Sequence, residues 1–211
     1  DAYPRPMVGD LAACEAAGVD VAFTPTADSM YFPDRSVTVS ENLLSSGLCG
    51  ATRPGHFDGV CTVVLKLFLL TSCDAAVFGE KDFQQLAVIR RMVRDLDVPV
   101  EIIPCPTIRE ADGLAMSSRN TRLTPEQRAD APRIRRALVS AGKLTSPDEI
   151  LASARKTIEA SPLARIDYLS LVDAETLQAA VDLKRPAVLA TAVFYGEVRL
   201  IDHTGVPARI V

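Results

Sequence analysis

The chain has 211 residues, 48% apolar and 24% charged, with a formal net charge of -4. That length can bury the core of one large or two small domains. The absence of any basic excess argues against nucleic acid or an anionic membrane surface as the main partner, so phosphate chemistry, if present, must rest on local cations.

The longest apolar run, "VVLKLFLL" from Val63 to Leu70, contains Lys66 and is too short to span a bilayer. The opening "DAYPRP" has neither the basic nor the apolar region of a signal peptide. A first residue Asp1 rather than methionine leaves open a fragment or a processed product. The five cysteines, Cys14, Cys49, Cys61, Cys73 and Cys105, form no CxxC pair and are odd in number. They read as reduced cytosolic thiols, most of them small core residues.

In chain order, "DLAACEAA" from Asp10 to Ala17 predicts a helix closed by Gly18, followed by a strand at Val19–Phe23. A long proline-containing loop comes next, with a short strand at Val37–Val39. Val60, Val63, Val64, Leu67 and Phe68 fall on one face of a helix from His56 to about Leu70. A strand at Ala75–Phe78, a helix from near Glu80 with Leu86, Ile89, Val93 and Leu96 in step, and a strand at Val98–Ile103 follow. This alternation predicts a parallel sheet with helices on both faces.

After Pro106 the character changes. Thr124-Pro125-Glu126-Gln127 and Ser146-Pro147-Asp148-Glu149 read as two helix starts, each with proline in the first turn. Apolar runs at 164–172, 185–195 and 198–203 predict a small antiparallel sheet beside those helices. A domain boundary near Thr107 is expected, giving 1–107 and 108–211.

Two stretches could carry chemistry. "FGEKD", Phe78 to Asp82, stands where a strand ends and a helix begins, the place where parallel sheets bind ligands. Gly79 would admit close backbone approach, Asp82 could accept from ribose hydroxyls, and Lys81 could neutralise phosphate oxygens. The positive end of a helix dipole suits Glu80 and Asp82 but not Lys81, which asks what the lysine is for. An ordinary turn with a solvated lysine fits the same residues. "DGLAMSSRN", Asp112 to Asn120, offers two hydroxyls and an arginine on a polar loop, able to hydrogen-bond a triphosphate or to be a plain hydroxyl-rich turn.

Together, "FGEKDFQQL" and "READGLAMSSRN", with "RPGHFDGV" and "YPR" upstream, resemble the pantothenate synthetase (pantoate–beta-alanine ligase) family from Tyr3 to about Asp202. The resemblance implies an α/β fold, a Rossmann-like nucleotidyltransferase parallel sheet (1–107), plus a small α+β C-terminal lid domain with an antiparallel sheet (108–211). It implies ATP-dependent condensation of (R)-pantoate with beta-alanine through a pantoyl adenylate, giving pantothenate, AMP and pyrophosphate, in a cytoplasmic homodimer that uses Mg2+. By position, it places Gly79, Glu80, Lys81, Asp82, Ile108, Met116, Ser117, Ser118 and Arg119 at ATP. Lys81, Ser117, Ser118 and Arg119 are the catalytic candidates. Gln85 falls at pantoate, and Tyr3, Arg53, His56, Val60 and Val63 at the pantoate pocket wall. Asp10 falls at an acidic position associated with magnesium, although Gly9 stands where some members have a second acid.

The family's His-x-Gly-His motif does not occur in the chain, whose two histidines are His56 and His203. The first strands of the nucleotide-binding domain and a glutamine at pantoate are likewise missing from the match. His203 reads as a solvent-facing tail residue. These departures predict that the chain alone lacks appreciable turnover. They suit one alternative, a truncated, inactive ATP-binding or oligomerisation module. Against another, a related adenylate-forming enzyme with a different acceptor, stand Gln85 and the "RPGHF" segment.

Overall fold

The computed structural model describes residues 6–209. Its contacts divide the chain into Asp1–Val37 and Thr38–Val211. In the first unit α1 spans Met7–Ala16. It ends in a Schellman motif, with Val19 N–H donating to Cys14 O at 3.0 Å, Gly18 N–H to Glu15 O at 3.0 Å, and Gly18 at φ +76°. The glycine stop legible in the sequence is therefore met. Helix α2, Ala27–Met30, is capped by Thr26, whose hydroxyl accepts from Ser29 N–H at 3.2 Å. The strands expected at Val19–Phe23 and Val37–Val39 do not form. A strand exists only through backbone pairing, and Val39 N–H is instead taken by the Thr62 hydroxyl at 3.0 Å.

In the second unit α3 spans Leu48–Thr52, α4 His56–Thr71, β1 Ala75–Gly79, α5 Phe83–Asp95 and β2 Glu101–Cys105. A 3-10 turn, Glu80–Asp82, links β1 to α5. β1 and β2 pair in parallel from Ala75↔Glu101 to Gly79↔Cys105. The second strand begins later than expected because Asp97 adopts φ +49° and Pro99 lacks an N–H, so pairing opens only at Glu101. α4 and α5 both pack on the Ala76 and Phe78 side, where Phe68 meets Phe78 edge-on at 6.3 Å. The other side carries Val77, 66% exposed. Helical cover on both faces is thus not observed among the described residues, since a short apolar run does not tell one buried face from two.

Beyond a second 3-10 turn, Ser118–Arg122, come α6 Pro125–Asp130, α7 Arg133–Ala141 and α8 Pro147–Glu159. Thr124 and Gln127 form a reciprocal capping box at α6, and Pro132 separates α6 from α7. The antiparallel sheet has the order β3 (Ala164–Asp173), β4 (Ala187–Tyr195), β5 (Val198–Val206), as the sequence predicts. β4 is central and buried on both faces. Leu189 and Val193 join a core with Ile134, Leu138, Ile150 and Ile158 of α7 and α8. Val188 and Ala190 join a second core with Phe57, Val64, Phe68, Val88 and Ile89 of α4 and α5. A strand buried on both sides reads as a near-continuous apolar run, and "AVLATAVF" is interrupted only by Thr191, whose hydroxyl donates to Tyr168 O at 2.7 Å.

All five cysteines are unpaired, but only Cys61 is buried, its thiol pushed up to about 11 by burial. Cys105 is exposed. Cys49 and Cys73 pack half-buried against the same core as Cys61, so three of the five have the core role expected of them and Cys14 and Cys105 do not.

Candidate active site

Gly79 closes β1 with ordinary extended angles, φ -69° and ψ 131°, and a Cβ added to it would meet nothing within 4 Å. Neither backbone nor packing demands glycine here, so the absent side chain leaves open space beside the turn. Asp82 occupies the N-cap position of α5 without making a side-chain cap hydrogen bond, and its carboxylate is exposed. Among the described residues no ion pair engages Lys81. The turn therefore presents a carboxylate and an ammonium, neither committed to an ion pair or a helix cap.

Lys81 lines one cleft with Ser117, Arg119 and Asn120, and with Arg199 and Asp202 of β5. β5 lies against both 3-10 turns. Ser117 caps the second turn, its Oγ accepting from Arg119 N–H at 3.2 Å. Ile108 and Met116 are exposed, and Met116 N–H donates to Ile108 O at 2.9 Å. Gln85, one turn into α5, is half-buried. Its neighbour Gln84 is buried and fully used. Gln84 Nε2 donates to Leu44 O at 2.8 Å and Gly47 O at 2.7 Å, and Oε1 accepts from Cys49 N–H at 2.9 Å. One side chain thus fixes the segment leading into α3 against the start of α5.

Past α3, Arg53 donates to His56 Nε2 at 2.9 Å. A guanidinium has no acceptor, so that nitrogen accepts and the imidazole proton sits on Nδ1. Burial and then Arg53 hold His56 below its ordinary pKa, leaving it neutral at pH 7. Loss of hydration also lowers Arg53; Cys49 raises it, Arg199 and Arg119 lower it, and Asp82 raises it again. Val60 and Val63, on α4, pack half-buried against the second core. Tyr3 lies outside the described residues. Asp10 is exposed in the first turn of α1. Among the described residues no three His, Cys, Asp or Glu side chains form a metal cluster.

Sequence reasoning missed Arg199 and misread His203. Arg199 Nε and Nη2 both donate to Asp167 Oδ2, at 2.9 and 2.7 Å, and its guanidinium lies 5.6 Å from the Tyr168 ring centre. Burial opposes its charge, but Asp167 and Cys49 outweigh that and raise its pKa. A register shift between Ile166 and Tyr168 surrounds Asp167, and such bulges re-aim side chains. His203 is half-buried rather than solvent-facing. Its ring lies tilted by 34° against Phe83 at 5.1 Å between centres, and Nδ1 is buried without a hydrogen-bond partner. Burial comes first in lowering its pKa, with Arg109 and Arg135 acting alike and Asp202 and Glu80 opposing. The available signal was a charged residue inside an otherwise apolar strand, "VRLIDH".

Comparison with known proteins identifies the group to which this arrangement belongs. The family described as pantoate-beta-alanine ligase matches residues 1–205. The chain belongs to the pantoate-beta-alanine ligase family. The pantothenate synthetase of Akkermansia muciniphila is 51% identical over 205 residues, covering 95% of this chain and 73% of that protein. That of Desulfovibrio desulfuricans is 50% identical over 208 residues, covering 96% and 74%. The crystal structure of the Thermus thermophilus pantothenate synthetase superposes with a TM-score of 0.91 at 44% identity, covering 97% of this chain and 76% of that one. The Francisella tularensis pantoate-beta-alanine ligase, solved with beta-gamma ATP and beta-alanine, superposes with a TM-score of 0.71 at 28% identity, covering 96% of this chain and 70% of that one. Membership in the ligase family disfavours the inactive-module alternative.

Proposed function

We propose that the protein joins (R)-pantoate to beta-alanine at the expense of ATP, and that the cleft between the Lys81 turn and the Ser117 loop is where ATP reacts. The observation that carries the assignment to this cleft is the convergence of Lys81, Ser117 and Arg119 on one opening, although 36 positions separate the lysine from the serine (117 minus 81). In the first step a pantoate carboxylate oxygen attacks the α-phosphorus, forming the acyl phosphate bond as pyrophosphate leaves. In the second, the beta-alanine amine attacks the acyl carbon, AMP leaves with the C–O electron pair, and the amine gives up a proton. A carboxylate is already nucleophilic, so the first step needs alignment and neutralisation of charge more than a base.

Lys81, Ser117, Ser118 and Arg119 serve that need. Asp82 is assigned to ribose, the Ile108 backbone to adenine, and Gly79, Glu80 and Met116 to the surrounding ATP contacts. Gln85 binds pantoate, with Tyr3, Arg53, His56, Val60 and Val63 at its pocket wall. His56, neutral with a proton on Nδ1, suits a hydrogen-bonding rather than a charge-pairing role. Mg2+ enters with ATP as the co-substrate's counter-ion. A single carboxylate, Asp10, does not make a closed site, and no step is assigned to a resident metal. We further propose division at Thr107 into a nucleotide-binding part and a lid, a homodimeric assembly and a cytoplasmic setting. No helix among the described residues is long and apolar enough to cross a membrane.

The test is pantoate-dependent pyrophosphate release by the natural polypeptide that carries this sequence, with Lys81→Ala beside it. Release should fall by about a hundredfold or more in the variant with an unchanged melting temperature. Equal rates would remove Lys81 from the chemistry, and no pantoate dependence would remove the function. Sedimentation of the same sample tests the dimer.

A further inference from the structure

We propose that Asp202, acting through Arg109, is a positioning residue that sets where the loop Met116–Arg119 meets ATP; this rests on the reading of that loop as the phosphate contact. Ile108–Met116 is a closed hairpin. Met116 N–H donates to Ile108 O at 2.9 Å, Glu110 N–H to Leu114 O at 2.8 Å, and Gly113 turns the chain at φ +90°. Arg109 and Ala115 face one another across it. The adenine-side residue and the first residue of the phosphate loop are therefore one mechanical piece, and its position depends on what holds its middle.

Arg109 holds it. Nη1 donates to Asp202 Oδ2 at 2.8 Å and to Gly113 O at 3.1 Å, and Nη2 donates to Asp202 Oδ1 at 2.9 Å. Asp202 Oδ1 also accepts from His203 N–H at 2.8 Å. The Asp202 side chain is 5% exposed and that of Arg109 21%. Asn120 Nδ2 also donates to Glu110 Oε1 at 2.9 Å and to Ala115 O at 3.1 Å, and Leu114 is buried in the core with α7 and α8. These bind the hairpin to its own loop and to helices, whereas the Arg128 ion pairs to Glu110 and Asp112 have side chains 30% to 41% exposed, where ion pairs contribute little. Asp202 sits on β5, paired with β4 without interruption from Ala187↔Val206 to Tyr195↔Val198.

The neighbouring Leu200 and Val206 are buried in an apolar core, so an apolar side chain at 202 would suit packing as well. Buried ion pairs rarely add stability over well-packed apolar residues, while a two-pronged carboxylate contact fixes direction. Asp202 thus transfers the rigidity of the central sheet to the hairpin and from there to Ser117 and Arg119.

The test compares wild type, Asp202→Asn, Asp202→Glu, Arg109→Lys and the double variant Arg109→Met/Asp202→Leu in the natural polypeptide. The readouts are ATP affinity by calorimetry, KM for ATP and for pantoate, melting temperature, and hydrogen exchange of the amides of residues 116–119. Asp202→Asn should weaken ATP binding about tenfold, speed that exchange and leave KM for pantoate unchanged, with partial rescue by Asp202→Glu. The double variant should regain melting temperature but not ATP affinity, a split that a purely structural pair would not produce. Recovery of both together overturns the inference, as does wild-type affinity in Asp202→Asn. If Asp202→Asn does not fold, Arg109→Lys, which keeps the charge and loses the fork, decides, and unchanged affinity there is the overturning result. A wild type that fails to bind ATP removes the functional reading itself, and is distinguished from failure of the positioning role by that measurement alone.

Discussion

The parallel pair β1–β2 and the antiparallel sheet β3–β5 solve opposite problems. The antiparallel sheet places its central strand between two cores and leaves almost nothing of β4 exposed. The parallel pair only half-buries one side, leaves Val77 and Ile103 66% and 39% exposed on the other, and ends in a glycine with open space beside it. The difference teaches where each property resides. Cohesion is concentrated in the sheet that supplies β5, and the ligand-facing turn is carried by the pair with the lesser share of packing.

That contrast can be broken by mutation. The largest effect is expected from Leu189→Ala, which opens a cavity at the fully buried centre of β4 and should cost about 2–5 kcal/mol in urea unfolding. Next is Gln84→Leu. It strips partners from two carbonyls and an amide in the α3 approach, and should cost about 1–3 kcal/mol for unmet groups while loosening Arg53 and His56. Protection of the Cys49 amide from hydrogen exchange in wild type, lost in the variant, checks it.

Thr124→Ala removes the α6 cap and should cost about 1 kcal/mol in thermal or urea unfolding. Smallest is Val77→Thr. At an exposed site it should change stability by no more than about 0.5 kcal/mol, and a larger loss would mean that the parallel pair is more tightly packed than its exposure indicates.

Acid sharpens the same comparison. The folded pKa values of His56 and His203 are both depressed, so the unfolded chain binds more protons than the folded one near and below the ordinary histidine pKa. Stability from these groups is fully present above about pH 6.5, the unfolded value, and falls as the pH drops through and below it. His56 faces Arg53, Asp82 and Arg199, while His203 faces Asp202, Arg109, Glu80 and Arg135. Melting temperature measured from about pH 7.5 to about pH 5, which brackets the histidine titration range, should fall in wild type and fall less in His203→Asn.

What was legible in the sequence follows periodicity and local chemistry. The Gly18 stop, the Thr124 cap, α4, α5 and the three antiparallel strands all announce themselves over a few residues. The convergence of Lys81 with Ser117 and Arg119 did not come from spacing, which left a bland turn equally open, but from the resemblance of whole segments. The strand at Val19–Phe23 failed because apolar character does not supply a pairing partner. Gln84 was overlooked beside Gln85 although it stands four residues before Val88, on the apolar side of α5, where a polar side chain has to find buried partners. Arg199 and Asp202 stayed hidden because their partners, Asp167 and Arg109, are 32 and 93 residues away.

β4 ties the two apolar clusters together. Ala187, Leu189, Val193 and Tyr195 belong to one apolar cluster and Val188 and Ala190 to the other, so neither cluster can melt while the strand stays intact for its neighbour. The region from Thr38 onward should therefore lose structure in a single cooperative transition. A small molecule bound at the Lys81 turn would then delay the melting of α7 and α8, with which that turn shares no cluster.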